Sequence, residues 1–234
     1  MIHSLVSAIV LFLGVVVCQG WLFAADIRPS WLLPQASLQE LLRESPTGQL
    51  PDFYSSPVFP FVIDPAEQIV RIELKEATAT QAQRVLDNKF EENPSAVFVV
   101  HVSGVISVSS VPLSLHGRTC MVIEKDGQFV ASSGCTADSL LCVVNRDYVS
   151  ITGSYDPRER PLSEQEDMFR GNGVVSSGIR IEDSGRIHLD RISITGCKDV
   201  GISITGRGSE QFNQAVSLTR SVVSNCQGDG VRIR

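Results

Sequence analysis

His188, Asp190 and Arg191 fall within four positions of one another, on the alternating stretch Ile187-His188-Leu189-Asp190. A carboxylate held beside a histidine and an arginine can take the proton α to a uronate carboxyl, while the guanidinium neutralises the charge that develops. This makes the three weak catalytic candidates. Strand alternation puts His188 and Asp190 on the side opposite Ile187 and Leu189, facing outward, beside the strand end Arg180-Ile181-Glu182-Asp183 of the preceding coil. Polar residues at outward strand positions are solvated by default, so the spacing permits this chemistry without establishing it.

A second group lies in the longest polar insertion, Ser154 to Gly171. Loops carried by a regular scaffold commonly build its binding groove, which makes Tyr155, Asp156, Arg158 and Arg160 the substrate-binding candidates. The carboxylates Glu164, Glu166 and Asp167 could attract calcium, but their spacing fits no calcium loop, so no cofactor is implied. No C-x-x-C pair occurs, and no metal site is expected.

Cysteine usage adds one further candidate. Beyond the N-terminal apolar segment the chain has Cys120, Cys135, Cys142, Cys197 and Cys226, an odd number. Cys197 and Cys226 occupy equivalent places in a repeat, and coils stacked about 4.8 Å apart would bring them within reach of a disulfide. Two small thiols packed in a core fit equally well.

The elements that would position these residues are written in the repeat itself. Ile187 to Ile204 (IHLDRISITGCKDVGISI) superposes on Val216 to Ile233 (VSLTRSVVSNCQGDGVRI), setting 187 on 216, Leu189 on Leu218, Arg191 on Arg220 and Cys197 on Cys226. Short apolar alternations separated by Gly, Asn and Asp at a fixed period are the mark of stacked β-coils. GIRI at Gly178, GISI at Gly201 and GVRI at Gly230 share one phase. The pentapeptide VSITG at Val149 returns as ISITG at Ile192 and Ile202, which reads as one coil interrupted by the polar insertion. Alternation sends Ile179, Ile181, Ile187, Leu189, Ile192, Ile194, Ile202, Ile204, Val216, Leu218, Val231 and Ile233 inward as an aliphatic ladder.

Ahead of the coils, Thr80 to Phe90 predicts an amphipathic helix. Ala82, Val85, Leu86, Lys89 and Phe90 share one face, Thr80 and Gln83 offer a capping box, and Asn93-Pro94 is the stop. Such a helix directly before the first coil would close an end that otherwise exposes unpaired strand edges. Seven of the 11 prolines lie between Ile27 and Pro65, marking residues 26–77 as a lead-in. Its apolar residues, among them Phe53, Tyr54, Phe59 and Phe61, suit packing along a solenoid flank better than a free linker.

Ser4 to Ala25 is almost continuously apolar and reads as an export signal or a retained anchor, so residues 1–25 are a leader and the rest of the chain is expected outside the cytoplasm. A membrane contact is expected only if that segment is kept. The chain ends at Arg234 inside a strand pattern, which predicts that the β-helix of residues 78–234 continues beyond it. The net charge is −6 and aromatics make up 6% of residues, with no basic run, so a nucleic-acid partner is excluded. A single domain and a monomer are expected.

The order of a helix, the strand VFVVHVSGVISVS, then PLSLHGRTCMVIE, then VSITG and GIRI-type coils resembles the pectin-lyase-like right-handed parallel β-helix superfamily, from about Thr78 to Arg234. The resemblance implies an all-β, right-handed parallel β-helix solenoid with an N-terminal capping helix, and a polysaccharide partner. Turn glycines and I-x-I pairs carry it, and these speak of fold rather than reaction. The aspartate motifs of polygalacturonase-like members, N-T-D, D-D and G-H-G, do not occur. The nearest string to the R-x-P-x-x-R of pectate-lyase-like members, Arg158-Glu159-Arg160-Pro161, has the wrong spacing. Two functions stay open: a polysaccharide-binding or polysaccharide-processing protein (lyase, epimerase or hydrolase), and a non-catalytic surface or envelope protein.

Overall fold

The computed structural model describes residues 67–155, 167–206 and 216–234, all within the unit Leu33–Arg234. The unit Met1–Leu32, and with it the apolar leader, lies outside the described residues, as do Asp156, Arg158, Arg160, Glu164 and Glu166.

Three parallel sheets run side by side, as expected of a solenoid-like all-β fold. Sheet 1 stacks β1 (Ile69–Leu74), β3 (Val97–Val102), β6 (Thr119–Ile123), β9 (Asp147–Thr152), β12 (Gly185–Asp190) and β15 (Val216–Thr219). Sheet 2 stacks β2 (Ala77–Thr78), β4 (Val105–Val108), β7 (Gln128–Ala131), β10 (Phe169–Arg170), β13 (Ser193–Thr195) and β16 (Val222–Ser224). Sheet 3 stacks β5 (Leu113–Ser114), β8 (Ser139–Val144), β11 (Ser177–Glu182), β14 (Val200–Thr205) and β17 (Val231–Ile233). The chain visits the sheets in the order 1, 2, 3 and then begins again, so each strand finds its partner one coil away.

That winding turns period-two alternation into columns. Ile72, Val100, Met121, Ile151, Leu189 and Leu218 form one inward column through sheet 1. In sheet 2, Phe129 and Phe169 stack with ring centroids 5.1 Å apart and planes 7° from parallel, continued by Ile194. The strands are too short to hold themselves, and the burial of these columns, worth about 25 cal/mol per Å² of apolar surface, supplies the cohesion.

The 29-residue offset is the true register: Ile187 lies beside Val216, Leu189 beside Leu218 and Ile202 beside Val231. The pentapeptides behave differently. Val149 pairs with Ile187 rather than Ile192, so VSITG sits in sheet 1, ISITG of Ile192 in sheet 2 and ISITG of Ile202 in sheet 3. They look alike because every strand meets the same demand for two inward aliphatics and a tight exit, not because they stack. The polar insertion likewise ends as a rung, since Phe169–Arg170 is β10.

The start of the fold also differs from expectation. β1 and β2 precede the helix, so strand structure begins inside the segment assigned to the lead-in, and α1 (Ala79–Glu92) follows the first two strands rather than leading them. Its cap is two residues earlier than predicted: Thr78 Oγ1 accepts from Gln81 N, and Thr78 N donates to Gln81 Oε1. Gln83 is instead spent on β5, its Oε1 accepting from Ser114 N at 2.7 Å. Ala79, Ala82, Leu86 and Phe90 are buried, whereas Val85 is 42% exposed. In the first coil the helix takes the place in chain order that a sheet 3 strand takes in later coils.

Candidate functional site

His188 and Asp190 project from the outer side of β12, as alternation requires, but they are not solvated. Asp190 is 0% exposed, Arg191 3% and His188 6%. Their neighbours along the stack are Ser150 and Ser217 for His188, and Thr152 and Thr219 for Asp190. The expected neighbour, the strand end at Arg180 to Asp183, belongs to a different sheet: β11 is in sheet 3.

Asp190 is the hub of the group. Thr219 Oγ1 donates to its Oδ1 at 2.7 Å, Arg220 Nε donates to the same oxygen at 2.9 Å, and Arg220 Nη2 donates to Oδ2. Arg191 Nε reaches Oδ2 at 3.2 Å. Burial alone would raise the carboxyl pKa, but the hydrogen bonds from Arg220 and Thr219 and the two guanidinium charges outweigh it and hold it below the usual range. His188 Nδ1 lies 2.6 Å from Ser217 Oγ. Burial lowers its pKa; Asp190 pulls the other way and Arg220 adds to the lowering, which leaves the imidazole neutral near pH 7.

Local backbone explains why the two arginines converge. Arg191 (φ 52°) and Arg220 (φ 47°) both occupy the left-handed region at the exit of β12 and β15, so each turns sharply at the same corner of its coil. Gly153 stands at the corner of the coil before, where a Cβ would lie 2.3 Å from Arg191 O; only glycine permits that approach. The cluster is a carboxylate saturated by donors, well suited to fastening β12 to β15. As a proton acceptor Asp190 is weak, because both lone-pair sets are engaged and its charge is stabilised.

Tyr155 is 6% exposed and packs in the core cluster, with its backbone N–H donating to Arg191 O at 3.1 Å. Its side chain therefore faces the interior rather than a groove. Among the described residues no group of three or more His, Cys, Asp or Glu is placed to hold a metal ion. Asp167, the described member of the acidic run, has its carboxyl pKa raised by burial, against the pull of Arg170. Cys197 and Cys226 follow the paired strands β13 and β16, and both are thiols. Burial pushes the Cys197 thiol up to about 12, with Cys226 adding to the shift by charge and hydrogen bonding.

Sheet 3 carries a feature that the strand pattern held in plain view. The middle residues of GIRI, GISI and GVRI are Arg180, Ser203 and Arg232, which form one outward column. Arg232 is committed: it binds Asp199 through Nη1 and Nη2 at 2.5 and 2.7 Å and Asp229 through Nε at 2.8 Å. Arg180 is not. Its nearest carboxylates are at 4.0 Å (Asp138) and 3.9 Å (Glu182), and its Nε has no hydrogen-bond partner among the described residues. Its side chain is 36% exposed although Nε itself is buried, and it is flanked by Ser203 and the exposed Thr205 of the next coil. The I-x-I strands were read for their aliphatic members alone, and the middle residue is the signal that would have found this face.

No family model matches the chain, and neither curated proteins nor solved structures yield a match.

Proposed function

We propose that this chain is an exported, right-handed parallel β-helix of the pectin-lyase-like type, with α1 as its capping helix, that binds an acidic polysaccharide along the outer face of sheet 3. The observation that carries the reading is the guanidinium of Arg180, whose carboxylate neighbours Glu182 and Asp138 stand off at 3.9 and 4.0 Å, beside the Ser203 hydroxyl at the same register on the next coil. A guanidinium binds a uronate carboxylate through two parallel N–H donors, and sugar hydroxyls pair with serine and threonine. A linear polymer lying along the stacking axis would meet Arg180 and then Ser203 on successive coils, about 4.8 Å apart.

Binding is favoured over processing by the state of Asp190. A carboxylate held by Arg220, Thr219 and Arg191 at 0% exposure is poorly placed to take a proton from a sugar. A non-catalytic surface or envelope protein is therefore the reading nearest to this geometry.

The test is binding of the purified chain to polygalacturonate, alginate and neutral dextran, with ultraviolet absorbance followed for unsaturated product. We expect salt-sensitive binding to the uronate polymers, no rise in absorbance, and about a tenfold weaker affinity in Arg180→Ala, equivalent to about 1.4 kcal/mol. Equal affinity for dextran, or an Arg180→Ala variant that binds like the parent, would overturn the proposal; product absorbance would restore the enzyme reading.

A further inference from the structure

Left-handed backbone suits glycine, asparagine and aspartate, yet at the ends of the sheet 1 strands it is adopted by Arg118 (φ 56°), Tyr148 (φ 62°), Arg186 (φ 55°), Arg191 and Arg220. A large side chain is disfavoured there, and an outlier of this kind points to a task for the side chain. Three of the arginines hold a carboxylate: Arg118 binds Glu67, and Arg191 and Arg220 bind Asp190. Arg186 does not. Among the described residues no carboxylate oxygen lies within 4.0 Å of it, and its guanidinium carbon stands 4.5 Å from the centroid of the Tyr148 ring instead. Register explains the pairing. Thr119 lies beside Val149 and Val149 beside Ile187, so the residues just before them, Arg118, Tyr148 and Arg186, form one column at the corner where the chain enters sheet 1 from sheet 3.

We propose that Arg186, laid on the face of Tyr148, is an oxyanion site that takes the carboxylate, sulfate or phosphate group of a ligand. Stacking on an aromatic face leaves the N–H donors of a guanidinium in its own plane, directed past the ring, where they match an oxyanion through two parallel hydrogen bonds. It also fixes a side chain that would otherwise lose rotamer freedom on binding. The corner beneath is well tied: Arg146 N donates to Ser184 Oγ at 3.0 Å, Asn145 N to Glu182 O at 2.9 Å, and Gly185 N to Asp147 Oδ1 at 2.8 Å, which spends the Asp147 carboxylate on backbone. Arg186 is exposed, and so is Arg146, two residues before Tyr148, which adds positive charge to the same corner. Arg118, the third member of the column, cannot serve, because Glu67 already neutralises it. The site is separate from Arg180, which projects from the outer face of sheet 3 before the chain turns this corner.

The experiment modifies the full chain with phenylglyoxal and follows each arginine by peptide mapping, in acetate, sulfate, phosphate and chloride at one ionic strength. We expect at least one of the three oxyanions to slow modification of Arg186 about threefold or more relative to chloride, and the anion that protects best identifies the ligand group. Arg84, exposed on α1, is the internal control and should react at one rate throughout. Tyr148→Asn gives the left-handed position a residue suited to it, so it should keep the β circular dichroism of the parent while protection of Arg186 is lost. A parent whose Arg186 reacts alike in all four salts overturns the proposal, as does equal protection of Arg84 and Arg186, which would mean bulk ion pairing only. Protection retained in a folded Tyr148→Asn variant removes the ring from the site and overturns it as well. The measurement on the parent stands whether or not that variant folds. Arg180 is read as a separate position in the same map and no polymer is involved, so failure here leaves the sheet 3 proposal standing, and the reverse holds too.

Discussion

Ile187–Ile204 and Val216–Ile233 are nearly one sequence pattern placed in two surroundings. Leu189 is 0% exposed and Leu218 40%; Ile202 is 1% exposed and Val231 40%, although each pair shares a column and a side of its strand. The outward residues diverge in the same direction, with His188 buried and Ser217 exposed. Pattern therefore decides which way a side chain points. How much its burial contributes depends on what lies on the coil above and on the face outside, and a local repeat specifies neither.

The largest break in this comparison is expected at Asp190. Asp190→Asn keeps the shape but removes the buried charge on which Arg191, Arg220 and Thr219 converge, and removing one partner from a buried pair costs about 3 to 5 kcal/mol. Urea denaturation of parent and variant measures it; a loss below about 1 kcal/mol would mean that the cluster contributes no more than a surface ion pair does.

Next come the paired leucines. Leu189→Ala should cost about 2 to 5 kcal/mol, because it opens a cavity between two packed neighbours, while Leu218→Ala should cost only about 1 to 2 kcal/mol. The comparison fails if the two variants denature alike. Such equality would show that position 218 is as fully covered in solution as position 189.

Cys197 and Cys226 sharpen the contrast covalently. Glutathione disulfide can take two electrons and two protons from the pair: the half-buried Cys226 attacks first and displaces one glutathione thiol, since burial holds the Cys197 thiol at a pKa of about 12, and Cys197 then displaces the second glutathione thiol to form the disulfide. The bond should raise stability by about 2 to 4 kcal/mol and fasten the last coil to its neighbour. Peptide mapping without reductant should find the link, and Cys226→Ser should abolish the gain; two persistent thiols under oxidant would leave the stacked-thiol alternative.

Much of this architecture was readable from residues alone, and the failures share one physical origin. The 29-residue offset gave the right register because Leu189 and Leu218, and the two arginines at the turns, must repeat once per coil. The VSITG match misled because strands in different sheets share the same local demands. β1 went unseen because IVRIEL, with its charged outward Arg71 and Glu73, follows a proline-rich run; its strand character comes from pairing with Val97 to Val102, a contact across the intervening helix. The burial of Asp190 was not legible at all, because chain distant in sequence creates it. Arg180 was legible in principle, as a charged residue in the middle of an I-x-I strand, with its carboxylate neighbours no nearer than 3.9 Å.

The smallest expected effect separates the two coils by pH. His188 faces Ser150 and Ser217 along the stack, with Asp190 and Arg220 as the charged groups beside it, whereas the repeat places the non-titrating Ser217 at the equivalent position of the last coil. Its folded pKa is lowered, first by burial, so the unfolded chain binds the proton more readily. The stability it contributes is therefore complete above the unfolded value of about 6.5 and is lost as pH falls through the folded value. Asp190 is also lowered, but its loss begins below about 3.9, so the two titrations occupy different windows. Denaturation midpoints for the parent should fall between pH 7 and 5, and His188→Gln should flatten that slope while leaving the steeper acid loss in place. An unchanged slope would mean that the imidazole reaches water in the folded chain, and with it the claim that the middle of sheet 1 is covered and its edge is not would have to be abandoned.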